Sequence, residues 1–262
     1  MVGSHVAGFL YPLSGFIVGM LVGMTGVGGG SLMTPVLILL FGVSPASAVG
    51  TDLLYAAITK MAGTTIHGFT GTIDWRVVGR LAAGSVPMTA FTLFALSRLN
   101  LGGFAVHHLI TTVLGFALFA SAFALIFRSR IVSRYGQLVA GLDPKRIRWL
   151  TIATGGMLGI VVPISSVGAG ALGTTALLLL YPRLPTARIV GSDIAHAVPL
   201  TLLAGLGHWM LGSIHWNLLI ALLIGSLPGI VLGSYLASRV PEAALRFILA
   251  ATLVVAGGRL VF

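Results

Sequence analysis

The sequence predicts an all-α integral membrane protein built from two inverted repeats, and three observations carry that prediction. The 262 residues are 57% hydrophobic and 8% charged, with a mean hydropathy of +1.07. The apolar residues fall into long blocks separated by short polar corners. One half of the chain overlays the other at a constant shift. Soluble chains carry about 25% charged residues. So few charges cannot clothe a soluble surface, so lipid has to cover most of the outside. At roughly 20 residues per crossing, the length holds about eight to ten hydrophobic segments.

The net charge of +10 resembles the footprint of a nucleic-acid binder. The basic residues, however, stand at the ends of apolar runs and form no single basic face. They read as topology determinants, and nucleic acid is excluded as a partner. Cysteine is absent, which removes disulfides, thiolate metal sites and cysteine nucleophiles. No Lys or Arg precedes the first apolar run, so that run is expected to be a retained helix and not a cleaved signal.

The longest polar stretch, 128–148, holds Arg128, Arg130, Arg134, Lys145, Arg146 and Arg148 against the single acid Asp143. It divides the chain into a first transmembrane repeat (1–127), a cytoplasmic basic linker (128–148) and a second repeat (149–262). A shift of 141 positions lays the first repeat on the second. Gly50, Thr51 and Asp52 fall on Gly191, Ser192 and Asp193, and His67 falls on His208. Trp75 falls on Trp216, while Gly84, Ser85 and Pro87 fall on Gly225, Ser226 and Pro228. Of the 42 positions from 46 to 87, 13 are identical to their counterparts. Internal duplication of this kind is a signature of secondary transporters.

Each repeat reads as four apolar blocks, and the opening block is unusual. As one helix, 7–42 would be ~54 Å long, against a bilayer core of ~30 Å. Its middle is Gly23-Met24-Thr25-Gly26-Val27-Gly28-Gly29-Gly30-Ser31, a run that disfavours continuous helix. The block is therefore expected to be two short helices meeting at a glycine-rich apex. The counterpart apex runs from Pro163 through Ser165, Ser166 and Gly168 to Gly170.

The placement of Lys and Arg tests this expectation. If each opening block turns back on itself, twelve cations become cytoplasmic and two, Arg98 and Arg259, external. If each crosses once, the split is nine to five. The positive-inside rule prefers the first arrangement, which gives each repeat an odd number of crossings and sets the two in opposite orientations.

Candidate site residues follow from these breaks. Backbone N–H groups freed at a broken helix attract anions, which points to Gly28, Gly29, Gly30 and Ser31, with Ser165, Ser166, Gly168 and Gly170 opposite. Close packing through small residues explains the same pattern. Asp52 and Asp193, beside Thr51 and Ser192, are symmetric among only five acids. Buried carboxylates in membranes are costly and usually functional, although Ser/Thr-Asp before an apolar run is also a helix-start signal. Lys60 stands in mid-block, to attract an anion or pair with Asp52, or to snorkel to the interface. His196, close to Asp193, is a further polar candidate. His67 and His208 read as rings bonded to turn backbone, and Trp75 and Trp216 as interfacial anchors.

These residues also carry a resemblance. The run Gly26-Val27-Gly28-Gly29-Gly30 with Pro35, then Gly50-Thr51-Asp52, then His67 with Gly71-Thr72-Ile73-Asp74-Trp75, is similar to the sulfite exporter TauE/SafE family of membrane transporters. Gly191-Ser192-Asp193, His208 and Trp216 repeat the pattern. The resemblance implies a multi-pass protein of the bacterial inner (plasma) membrane that exports sulfite, organosulfonates or related sulfur anions by alternating access. It implies no cofactor; proton coupling through Asp52 or Asp193 is the added expectation. The partners are then the lipid bilayer and a small sulfur-containing anion. The second repeat departs from the first, with Val167-Gly168-Ala169-Gly170 at the apex and His215 in place of Asp74. Two other classes compete: an intramembrane haem or redox protein using His67 and His208, and a serine hydrolase using Ser165 or Ser166 with His196.

Overall fold

The computed structural model describes residues 2–25, 30–69, 71–99, 103–236 and 242–261. Side chains are described for these except 2–8, 25, 30, 62, 63, 66–69, 140, 234, 242 and 243. The described residues form ten helices: α1 (Val2–Thr25), α2 (Gly30–Leu39), α3 (Pro45–Phe69), α4 (Trp75–Ser97), α5 (Phe104–Ala140), α6 (Pro144–Ser165), α7 (Ala171–Leu180), α8 (Thr186–Met210), α9 (Trp216–Leu236) and α10 (Glu242–Val261). Six of the ten, α4, α5, α6, α8, α9 and α10, are long and apolar enough to cross a membrane. Large apolar side chains such as Phe116, Ile224, Val231 and Phe247 point outward. A soluble protein would not leave so much apolar surface in water.

Local chemistry sets the boundaries. Asp74 caps α4, its carboxylate accepting from the N–H groups of Arg76 and Val77. Pro144 opens α6, where its missing N–H costs nothing. Gly71 and Gly212 hold the same left-handed turn, at φ 65° and 71°, one repeat apart. The charged stretch 128–148 is mostly helical: α5 runs on to Ala140, the chain turns at 141–143, and α6 begins at once. Arginine is a good helix former, so the cluster of arginines continues α5 without ending it.

Each opening block is broken and turns back. The Tyr11 ring of α1 packs edge-on against Phe41, just past α2, with centroids 4.7 Å apart. In the second repeat, Thr151 Oγ1 near the start of α6 hydrogen-bonds Tyr181 Oη, just past α7, at 2.8 Å. The end of each half-helix has therefore come back beside the helix it left. Arg80 of α4 donates to Tyr181 Oη at 3.0 Å. One cavity gathers Arg80 and Arg183 with Val139, Leu142, Pro144 and Ile147. The cations on that face are ones the turn-back arrangement assigns to the cytoplasmic side.

The helices exchange partners in a pseudo-two-fold pattern. Helix α1 lies on α9 as α6 lies on α4, while α3 meets α8 and α5 meets α10. Helices α3 and α8 run antiparallel, since Gly50 abuts His208 and Ser213 while Leu54 abuts Gly205. Helices α1 and α9 run parallel through Gly15, Gly19, Gly225, Gly229 and Gly233. A Cβ at Gly225 would fall on the Pro12 carbonyl, and one at Gly84 on that of Ile152 in the matching α4–α6 seam. In lipid there is little hydrophobic gain between helices, so close backbone approach through small residues supplies the packing energy.

Candidate functional site

Successive helical residues point about 100° apart, so three in a row address three neighbours. The Gly50-Thr51-Asp52 step of α3 uses all three. Gly50 lets α3 close on the α8–α9 corner. Thr51 Oγ1 accepts from the His215 N–H at 3.1 Å. Asp52 turns to its own repeat, where its carboxylate accepts from Thr34 N–H at 3.2 Å and from the Thr34 hydroxyl. On α8 the same step recurs. Gly191 closes on Thr72, Ser192 Oγ accepts from the Asp74 N–H at 2.8 Å, and Asp193 accepts from Thr174 Oγ1 at 2.9 Å. The two motifs therefore tie each repeat to a corner of the other and hold each half-helix, α2 or α7, to its own long helix.

Both carboxylates are buried, and the second oxygen of each, Oδ1, has no hydrogen bond among the described residues. The Ser166 hydroxyl lies close to Asp52 but makes no hydrogen bond of normal geometry. Lys60 is 6% exposed, and its ammonium donates to the Ala169 carbonyl at 2.8 Å. That contact carries a cation from α3 of the first repeat to the apex of the second. Both Asp52 and Asp193 lie within electrostatic range of the ammonium. Arg128 of α5 acts on Asp193 in the same way.

The second apex is shaped to present its backbone. Ser166 ends α6 in the left-handed region (φ 59°), and Gly168 and Gly170 stand at φ 120° and 140°. Ser165 Oγ donates to the Val161 carbonyl and accepts from the Val167 N–H, which caps the break. Gly173 N–H bonds to Gly168 and Thr174 N–H to Gly170, so the N–H groups of Ala171 and Leu172 form the free first turn of α7. Such amides attract negative charge.

The expected residues divide into three groups. Asp52, Lys60, Ser166, Gly168, Gly170 and Asp193 come together at the crossing of α3, α8 and the second apex. Thr51, Ser192 and Ser165 are occupied with backbone and serve as ties and caps. Gly28 and Gly29 lie outside the described residues, and Gly30 and Ser31 open α2, with Ser31 buried. His196 is fully buried, its Nε2 2.8 Å from Ser85 Oγ. It faces neither Ser165 nor Ser166, so the serine–histidine pairing expected of a hydrolase does not form. His208 Nε2 bonds the Pro163 carbonyl at 2.9 Å. The ring serves the apex and not its own corner, because an internal break leaves a carbonyl there to satisfy. The His67 side chain lies outside the described residues. Thr34, Thr174, Ser85 and Arg128 join the polar core unannounced. Two of them had a signal in the repeat: Ser85 is identical with Ser226, and Thr34 with Thr175, at the same shift.

The sequence model of the family described as "Sulfite exporter TauE/SafE" matches residues 11–260. A Bacillus subtilis protein named "Probable membrane transporter protein YjnA" is 38% identical over 253 residues, covering 95% of this chain and 98% of its own. A second from the same organism, "Probable membrane transporter protein YdhB", is 27% identical over 255 residues, covering 94% and 97%. A "Probable membrane transporter protein" of Xylella fastidiosa is 27% identical over 232 residues, covering 86% and 83%. No solved structure matches the chain. The chain belongs to the sulfite exporter TauE/SafE family and is a multi-pass membrane transporter.

Proposed function

We propose that this member of the TauE/SafE family is a secondary transporter that exports a small sulfur-containing anion, sulfite or an organosulfonate, across the bacterial inner membrane by alternating access. The observation that carries the reading is the buried Lys60 ammonium on the Ala169 carbonyl, at the break between α6 and α7. An ammonium has three donors, and this bond uses one. Beside it stand the free amides of Ala171 and Leu172 and the Ser166 hydroxyl. These are donors suited to the oxygens of an oxyanion.

The way the repeats are joined supports the alternating-access reading. Past the opening blocks, α3, α4 and α5 remain in one repeat and α8, α9 and α10 in the other, and the equivalent helices α3 and α8 run antiparallel. Both features are those of inverted repeats, whose relative rocking exposes a midplane site to each side in turn. The ties at Thr51 and Ser192 are single hydrogen bonds, weak enough to exchange during such a motion.

Proton coupling has an electrostatic motive. Asp52, Asp193, Lys60 and Arg128 sum to zero when all are ionised. A monoanion bound among them leaves one uncompensated buried charge, which is costly in a membrane. A proton carried on Asp52 or Asp193 cancels it.

The test is flux in proteoliposomes with sulfite, thiosulfate, sulfoacetate and chloride offered separately, with and without an imposed pH gradient. Saturable flux of a sulfur anion that rises with the gradient is expected. Equal flux for all four anions, or none for the three sulfur anions, would remove the substrate claim. Flux indifferent to the gradient would remove the coupling claim alone.

A further inference from the structure

Three arginines outside the central cluster converge on one cavity of about 330 Å³ in the seam between α4 and α6. Arg76 and Arg80 stand one turn apart on α4, Arg148 reaches in from the second turn of α6, and Trp75 and Ile152 help to complete the wall. Arg80 is half-buried and donates to Tyr181 Oη. Arg76 and Arg148 are exposed, and among the described residues neither guanidinium has a hydrogen-bonded or ionic partner. The nearby acid, Asp74, spends its carboxylate on the α4 cap.

The depth of the cavity identifies what it meets. Trp75 is 65% exposed and Trp149, next to Arg148, is 68% exposed. Exposed tryptophans at the ends of apolar spans sit at the headgroup level of a bilayer. The seam opens on the face that carries the hinge cations. The counterpart positions in the other repeat are Asn217, Ala221 and Ala7, so the equivalent positions of the other repeat carry none of these cations. Framework duplication does not explain the three cations, and a charge bias alone does not require them to share one cleft.

We propose that this cavity is a binding site for the phosphate headgroup of an anionic phospholipid of the cytoplasmic leaflet. Guanidinium groups suit phosphate oxygens bidentately, and basic pockets between membrane helices on that side hold such headgroups. The lipid binds across the α4–α6 seam, so it clamps one long helix of each repeat to the other.

Native mass spectrometry of the purified full chain in mixed micelles tests this. Phosphatidylglycerol is titrated against phosphatidylcholine, and melting temperature in each lipid is read in parallel. The wild type is expected to keep a tightly held phosphatidylglycerol and to melt higher with it than with phosphatidylcholine. Arg76→Gln with Arg148→Gln should weaken retention by roughly tenfold and abolish the melting shift, with an unchanged melting temperature in phosphatidylcholine showing an intact fold. Lys145→Gln with Arg146→Gln, on the same face but outside the cavity, should change neither. Equal losses in the two double variants would mean diffuse attraction and overturn the site. Inorganic phosphate reproducing the full shift would overturn a lipid as the occupant, and retention unchanged in Arg76→Gln with Arg148→Gln would overturn the proposal outright.

Discussion

The two repeats agree in their framework and differ in their charge. Asp52 and Asp193 hold equivalent half-helices through Thr34 and Thr174, and Thr51 and Ser192 bond equivalent corners. Gly84 and Gly225 sit in equivalent helix seams. At position 60, however, the first repeat carries Lys60 and the second carries Thr201, whose hydroxyl is spent on the Ala197 carbonyl of its own helix. The repeat supplies a shared scaffold, and the buried Lys60 makes one apex different from the other. In the proposed function, the symmetry serves the motion and the asymmetry serves the anion.

The sharpest way to break the framework half of this comparison is at the seams. Gly225→Val and Gly84→Val each drive a side chain into a facing carbonyl. Overpacking of this kind costs about 1–3 kcal/mol even where side chains can yield, and backbone yields less. Both variants are expected to lose the monodisperse peak in detergent size-exclusion. Two well-folded proteins would show that the seams are looser than described.

A smaller effect separates the carboxylates from the ties. Thr174→Val removes one hydrogen bond to Asp193, whose Oδ1 already lacks a donor among the described residues. The expected cost is about 1–3 kcal/mol, since a buried acceptor is left unpaired. Thr34→Val should cost less, because the Thr34 N–H stays on Asp52. Equal melting temperatures for the two variants would contradict the described difference between the poles. The ties should be weaker and alike: Thr51→Val and Ser192→Ala are each expected to cost about 0.6–1.7 kcal/mol, the range for interhelical hydrogen bonds in membranes. A large loss in one alone would break the pseudo-symmetry.

Much of the framework was legible in the sequence because it depends on local chemistry. Glycine disfavours continuous helix in mid-block, and a count of Lys and Arg positions prefers opening blocks that turn back, as the Tyr11–Phe41 and Thr151–Tyr181 contacts have them. The pairing of Asp52 with Asp193 came from the repeat itself. What remained hidden depends on which helices cross. Lys60 pointed toward an anion or Asp52, and its hydrogen bond goes to Ala169, 109 residues away. His208 suggested its own turn and instead satisfies the Pro163 carbonyl. Arg128 counted only as a topology charge, and it also lies in reach of Asp193. None of these follows from spacing along the chain, because the antiparallel meeting of α3 with α8 sets them. The stretch 128–148 read as a linker by its charge, which reports contact with water and not the absence of helix.

The central claim is that the proposed anion site rests on Lys60, the buried cation whose place Thr201 takes in the second repeat. Isothermal titration of sulfite into purified protein tests it most directly, comparing wild type with Lys60→Thr and with Thr201→Val. Loss of a charge-assisted contact is worth about 1.4 kcal/mol or more, a tenfold change in Kd. Lys60→Thr should therefore bind at least about tenfold more weakly, while Thr201→Val stays within about twofold of wild type. Undiminished sulfite binding by a folded Lys60→Thr protein would contradict the account.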